Sequence, residues 1–388
     1  MILQNVTDIA IPQGNVVKIH ETVGGRILWQ KKKKVLSAHW ELSEYDAGTN
    51  PAGASIGHWL DTGSELIQTC NQDNDDPYNY YRYYNPIDNT FSTMHKMKLP
   101  DSDEENDTYP IVIDWAIDPV TKVWCSTTAN SSKYDYYCSV FNDDTFRDLS
   151  TSVSRCCWSE PLNRFCLTGV KKSFLMDTEG NIYEKDDSSS PGKVLPTSSS
   201  LFVLCAGNGI SKFIAYEHAL LGNNRADAIA ISPNGYDWTY IEKISDELPD
   251  SSSNNERGLG VTWVPSLNAY VAIVGNSSGY YVFKSLDGIE WAKLSTIPVN
   301  ENEFPSKAYE RYIFGEYSPE KNIVAFVISM AAYISEDCVH WIEVSLLDTG
   351  ISTSRYSENH RKNFIWSNSL NAFLYGTPVG KFRKLVID

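Results

Sequence analysis

One short turn recurs along the chain and constrains the fold more than any other feature. It reads Ser232-Pro233-Asn234-Gly235-Tyr236-Asp237-Trp238, then Ser285-Leu286-Asp287-Gly288-Ile289-Glu290-Trp291, then Ser335-Glu336-Asp337-Cys338-Val339-His340-Trp341. Each copy is Ser-x-Asp/Asn-(Gly)-x-x-Trp and runs into a short strand. The Asp or Asn closes the turn on its own backbone, Gly takes a positive φ, and the Trp drops into a core. The Trp residues are about 50 apart, a spacing of propeller blades rather than of helical solenoids.

A second repeat precedes the first. Trp158-Ser159-Glu160-Pro161-Leu162-Asn163-Arg164-Phe165, Trp263-Val264-Pro265-Ser266-Leu267-Asn268-Ala269-Tyr270 and Trp366-Ser367-Asn368-Ser369-Leu370-Asn371-Ala372-Phe373 share a Trp, a Leu-Asn pair and a closing aromatic. The pattern is a strand, a tight turn and a returning strand. Joined to the Ser-x-Asp-Gly turn it makes a unit of four antiparallel strands, which is a propeller blade. Weaker copies occupy 57–96, 113–150 and 156–185, and 201–243, 260–294 and 313–345 follow. A last unit, 363–388, is short of a strand. His39-Trp40-Glu41-Leu42-Ser43 resembles His340-Trp341-Ile342-Glu343-Val344-Ser345 and is the expected fourth strand. It closes the ring and removes two open sheet edges. The expected fold is therefore all-β, a propeller of four-stranded antiparallel blades with an N-terminal closing strand. The count comes to seven, with six or eight open because the units at 57 and 156 are degenerate.

Composition agrees with an all-β ring. Among 388 residues there are 11 Trp, 23 Tyr and 14 Phe, with no long helix-period run and no apolar stretch of membrane-spanning length. The net charge of −16 argues against a nucleic-acid partner, which needs a basic face. The acidic run 101–107 reads as a solvated loop, since a calcium loop wants a Gly at its sharp turn. No two of the eight cysteines form a Cys-x-x-Cys pair, and most fall among apolar strand residues. The opening MILQNVTDIAIPQG lacks the basic and apolar regions of a signal peptide. No metal, cofactor or catalytic motif is found: there is no P-loop, no Gly-x-Ser-x-Gly and no His-Glu-x-x-His.

Residues 1–34 stand outside the repeat as an N-terminal arm, and 35–388 form the propeller. Val16-Val17-Lys18-Ile19-His20-Glu21 and Arg26-Ile27-Leu28-Trp29-Gln30 flank a Gly-Gly turn and read as a β-hairpin, followed by Lys31 to Lys34. An isolated hairpin is marginal in water, so Ile19, Ile27 and Trp29 are candidate attachment residues. The segment Ile11-Pro12-Gln13-Gly14-Asn15-Val16-Val17-Lys18-Ile19…Gly25-Arg26-Ile27-Leu28-Trp29 resembles the opening of many phage and prophage tail and appendage proteins. That resemblance covers under a tenth of the chain. It implies a virion protein, assembled in the host cytoplasm, that docks on other virion proteins by its arm and turns a propeller outward. The repeated turns are similar to the sialidase-type Asp-box and its shorter relatives. Here they are one residue shorter than the usual box, and the similarity implies fold rather than activity.

A sialidase site needs three arginines clamping a carboxylate. Arg82, Arg257, Arg311 and Arg355 have no spacing that demands such a cluster. A glycoside hydrolase needs two carboxylates across a sugar, and 49 acids leave that alternative open. The Tyr-rich run 78–84 is read as the third strand of its blade rather than a sugar platform. The candidate surface-binding residues lie on loops instead: Asp73, Asp75 and Asp76 in one, Asn223, Asn224 and Arg225 in the other. The function expected is a non-enzymatic phage virion component, a tail fibre, receptor-binding or other appendage protein. It would bind a host-surface glycan or protein, or another virion protein, within a homo-oligomeric or larger assembly. The alternative is a glycan-binding or glycoside-hydrolysing propeller with no virion role.

Overall fold

A computed structural model of the chain describes residues 18–20, 27–30, 36–42, 59–70, 80–88, 90–93, 95–96, 110–130, 136–140, 145–148, 153, 155–168, 173–183, 202–217, 229–241, 243–246, 258–276, 279–297, 313–328, 331–345, 364–376 and 382–388. The chain divides into two compact units, Met1–Ala38 with Ile387–Asp388, and His39–Val386.

In the smaller unit, β1 (Lys18–His20) pairs antiparallel with β2 (Ile27–Gln30), Ile19 opposite Trp29, in a two-stranded sheet of its own. Asp388 donates its backbone N–H to the Ser37 carbonyl at 2.9 Å.

The larger unit is built of antiparallel sheets laid out in sequence order. The first holds β4 (Trp59–Asp61), β5 (Leu66–Cys70), β6 (Tyr80–Asn85), β7 (Thr90–Phe91) and β8 (His95–Lys96). The second is β9 (Pro110–Ile117), β10 (Trp124–Asn130), β11 (Tyr136–Val140) and β12 (Thr145–Asp148). The third is β13 (Arg155–Ser159), β14 (Arg164–Thr168), β15 (Ser173–Met176) and β16 (Ile182–Tyr183). Next come β17 (Phe202–Ala206), β18 (Phe213–Glu217), β19 (Ile229–Ser232) and β20 (Thr239–Ile241). They are followed by β21 (Gly258–Val264), β22 (Ala269–Asn276), β23 (Gly279–Ser285) and β24 (Ala292–Ile297). The sixth is β25 (Ile313–Ser318), β26 (Ile323–Ile328), β27 (Ala331–Ser335) and β28 (Ile342–Ser345). The last holds β29 (Phe364–Ser367), β30 (Ala372–Gly376) and β31 (Phe382–Ile387), with β3 (Ala38–Leu42) as its fourth strand.

Six sheets thus have four strands, where seven such blades were expected. The β4–β8 sheet has five. Its outer edge is broken, because β7 pairs β6 at Tyr84 and Asn85 while β8 pairs it at Tyr80 and Tyr81. The first strands of successive sheets lie against one another, β9 on β13, β13 on β17 and so on to β29 on β4.

Packing between sheets is apolar, with a few polar clasps. Leu60 and Ile67 share a core with Trp115, Trp124 and Cys156. Phe213 joins Cys166, and Val282 joins Ile313. Leu374 of the last sheet packs with Trp59 and Leu66 of the first, which closes the ring. Tyr216 donates its hydroxyl to the Val261 carbonyl at 3.3 Å, and the Cys156 N–H reaches the Asp114 carboxylate at 3.1 Å.

The outer strands add a recurring link. The Trp238 indole N–H donates to Ser173 Oγ, that of Trp341 to Ser295 Oγ, and that of Trp40 to the Val344 carbonyl, each in the preceding sheet. Trp40 therefore does in the closing strand what Trp341 does in its own. The expectation that these Trp residues are core is corrected: Trp40, Trp238, Trp291 and Trp341 are half-buried, because each ring lies across a turn or edge with its N–H satisfied there. The fully buried rings are Trp59 and Trp115.

Candidate functional site

Strand direction sorts the connections onto two ends. In each sheet the first-to-second and third-to-fourth turns fall at one end, and the second-to-third and sheet-to-sheet connections at the other. The first kind is short. The second kind includes every long connection, between β16 and β17, β20 and β21, β24 and β25, and β28 and β29 among them.

The short turns are locked by side chains. In the three strong copies Ser Oγ accepts the N–H three residues on, at 2.8 Å in each: Gly235 on Ser232, Gly288 on Ser285 and Cys338 on Ser335. The Asp287 carboxylate accepts N–H groups of Ile289 and Glu290 at 2.8 and 3.0 Å. Asn234 accepts Tyr236 and Asp237, and Asp337 accepts Val339 and His340, in the same way. Gly288 sits at φ +82 and Cys338 at φ +60. Partial burial works against ionisation of Asp287 and Asp337. For Asp287 the Glu290 and Ile289 N–H groups and the Ser285 hydroxyl outweigh it and hold the carboxyl below its ordinary pKa. For Asp337 the His340 side chain and backbone do so, more strongly. These carboxylates are spent on the turn and are not poised as acids.

The other short turns use a left-handed residue. Asn163, Asn268 and Asn371, the Asn of the Leu-Asn repeat, have φ +50, +46 and +50. Across each turn the repeated Trp faces its aromatic in register: Trp158 on Phe165, Trp263 on Tyr270 and Trp366 on Phe373, edge to face at 4.7–4.8 Å. Two further turns of this kind escaped the sequence pattern, at Asn322 (φ +54) and Lys122 (φ +66). They lack the Trp and the Leu. Their signal was Ser318-Pro319 and Asp118-Pro119, a capping side chain followed by Pro.

This end also exposes apolar side chains. Ile87, Val120, Ile210, Leu286, Ile289 and Val339 all stand on short turns and are exposed. Two sheets meet beneath three of them, because Ser211 donates its hydroxyl to the Asp287 carbonyl and Tyr270 donates its own to the Ser211 carbonyl. Ile210, Leu286 and Ile289 therefore stand on one fixed base.

The residues nominated from sequence fall elsewhere. Asp73, Asp75, Asp76, Asn223, Asn224 and Arg225 lie outside the described residues, as does the acidic run 101–107. Both loops are second-to-third connections, so their flanking strands end at the end opposite the short turns. Ile19, Ile27 and Trp29 lie on β1 and β2. Tyr80 to Tyr84 form the third strand of their sheet, as read from the sequence. Arg82 donates to Gln68 Oε1 at 2.8 Å and lies over the Phe91 ring, 3.9 Å from its centre. That side chain is committed within its sheet, and Arg257, Arg311 and Arg355 are outside the described residues. No cluster of metal-ligating side chains occurs among the described residues. Burial pushes the Cys205 and Cys338 thiols up to about 12, which leaves them protonated and inert.

No protein-family model matches the chain, and no curated protein matches it in sequence. Solved structures do. Virginiamycin B lyase from Staphylococcus aureus is similar with a TM-score of 0.51 and 11% identity, over 90% of this chain and 99% of that one. The extracellular domain of a putative hybrid two component system from B. thetaiotaomicron is similar with a TM-score of 0.52 and 11% identity, over 90% of this chain and 40% of that one. At such identity the likeness shows the fold alone, and the fold is a β-propeller of antiparallel, mostly four-stranded blades.

Proposed function

We propose that this chain is a non-enzymatic virion protein, a phage tail fibre, receptor-binding or other appendage component. Its arm, residues 1–34, docks on other virion proteins, and its propeller, 35–388, presents a binding surface to the host surface or to another virion protein. One observation carries the reading, the direction of β3. Lys384 pairs with Glu41 at 3.0 Å and Asp388 with Ser37, so β3 runs antiparallel to β31. As a fourth strand it starts at the short-turn end. β3 is the first strand of the ring in sequence, and the long connections belong to the other end. An adaptor held on a particle is served by this polarity, with attachment at one end and long loops at the other.

The test is incorporation. Chain lacking residues 1–34 is expected to fold, with an undiminished melting transition, and to be missing from purified particles. If it is incorporated at the full-length level, attachment does not run through the arm and the reading fails.

A further inference from the structure

We infer that the short-turn end of the β17–β20 and β21–β24 sheets is a docking surface for the basic 26–34 segment of a second copy of this chain. The inference rests on the arm being an attachment segment and names what it attaches to.

The surface is apolar and already in place. Ile210, Leu286 and Ile289 are 72%, 60% and 52% exposed. Their turns are tied by Ser211 to the Asp287 carbonyl, by Tyr270 to the Ser211 carbonyl and by the Gly288 N–H to Ser285. A surface held this way needs little ordering when a partner arrives. Beside it stand Glu290 and, on the neighbouring β25–β28 sheet, Glu336. Both are exposed and neither carboxylate is hydrogen-bonded or ion-paired among the described residues. Apolar knobs flanked by unpaired carboxylates fit a segment that is apolar and basic.

The arm contains such a segment. Residues 26–34 read Arg26-Ile27-Leu28-Trp29-Gln30-Lys31-Lys32-Lys33-Lys34, with five cations, no acid and three large apolar residues, in a protein of net charge −16. Two copies laid face to face through this acidic end would repel. An arm laid on the end of another copy brings opposite charges together. It also gives a two-stranded hairpin, too small to be stable by itself, a surface to cover. The contact joins unlike surfaces, so repetition makes a ring or an open chain of copies.

Sedimentation velocity on three proteins tests this: the full chain, the chain lacking 1–34, and the full chain with Leu286→Glu and Ile289→Glu. The full chain is expected to associate as its concentration rises, and to dissociate as salt is raised. Each variant alone is expected to stay monomeric. Mixed, they are expected to form a one-to-one pair, since one supplies the surface and the other the arm. A full chain that stays monomeric, or a mixture that does not pair, overturns the proposal. Ile210→Glu replaces the double variant should that one lose its melting transition. Particle incorporation is read separately. Arm-dependent incorporation of a protein monomeric in solution would sink this inference and leave the proposed function standing, and the reverse pattern would do the opposite.

Discussion

The β21–β24 and β4–β8 sheets occupy like places in the ring and are held by different chemistry. In β21–β24 the outer turn is a cage of Ser285 and Asp287 around backbone N–H groups, and Trp291 lies over it with its N–H on the Gly288 carbonyl at 3.0 Å. In β4–β8 no Trp follows the turn. Asn85 accepts the Ile87 N–H at 2.9 Å, Asp88 accepts that of Thr90 at 3.2 Å, and the two side chains bond each other. Phe91 takes the covering place, 5.0 Å from Tyr84, with Arg82 stacked on its other side. The first turn of β4–β8 also leans on its neighbour, since Ser369 donates to the Asp61 carboxylate through both N–H and hydroxyl. What repeats around the ring is a geometric requirement, an acceptor to close each hairpin and an aromatic to cover it. Several residue sets meet that requirement.

The largest expected effect asks whether the two sheets unfold together. Tyr270→Ala removes a fully buried ring and its hydrogen bond, and should cost about 3–5 kcal/mol. Tyr84→Ala, 4% exposed in the other sheet, should cost a similar amount if the ring melts as one unit. A second, earlier transition in calorimetry of Tyr84→Ala alone would break the comparison and make β4–β8 a separately melting region.

Gly288→Ala comes next, at about 1–2 kcal/mol, because φ +82 disfavours a side chain and the new Cβ would sit 3.2 Å from Ser211 Oγ. No Gly occupies the corresponding place in the Asn85–Asp88 turn, so Ile87→Ala should change stability by less than about 0.5 kcal/mol. Denaturant midpoints of the two variants measure the contrast.

A smaller effect separates the turns by pH. Asp287 and Asp337 have folded pKa values below the unfolded carboxylate value near 4. Their stabilisation is complete above that pH and is lost as pH falls through the folded values. Asp287→Asn should fold normally at pH 7, since Asn234 fills the same role in β17–β20, and should lose less stability between about pH 4 and pH 2 than the parent. Equal acid losses would show that this carboxylate does not govern the turn. A modest change, under about 1 kcal/mol, is expected of Arg82→Lys, which keeps the charge over Phe91 but gives up the planar stack.

The sequence disclosed the parts of the ring that rest on turn chemistry. Ser285 and Asp287 announce a cage because only a short polar side chain can reach those N–H groups, and Asn268 announces a left-handed corner. The closing strand was legible because His39-Trp40-Glu41 copies His340-Trp341-Ile342 closely enough to carry the same indole clasp. Depth was not legible. Trp291 and Trp115 look alike on paper, but one lies across a turn and the other at the junction of three sheets. The broken outer edge at β7 and β8 left no mark, because Ser92, Thr93 and Met94 are ordinary strand residues. The exposed apolar tips of the short-turn end were hidden too. Leu286 and Ile289 sit at variable positions of the repeat, and their exposure follows only once the turn is folded.

The pairing of β3 with β31 has a consequence for synthesis. The last residue of β3 and the first of β31 are Leu42 and Phe382, so 339 residues must emerge between them. At about 5–20 residues per second a ribosome needs roughly 17–68 s for that stretch. Throughout this interval the sheet that β3 belongs to does not exist, while the sheets between are free to form in order. The first ring strand to leave the ribosome is therefore the last to find its place. A chaperone that held residues 36–42 for a minute would act on the step that closes the molecule.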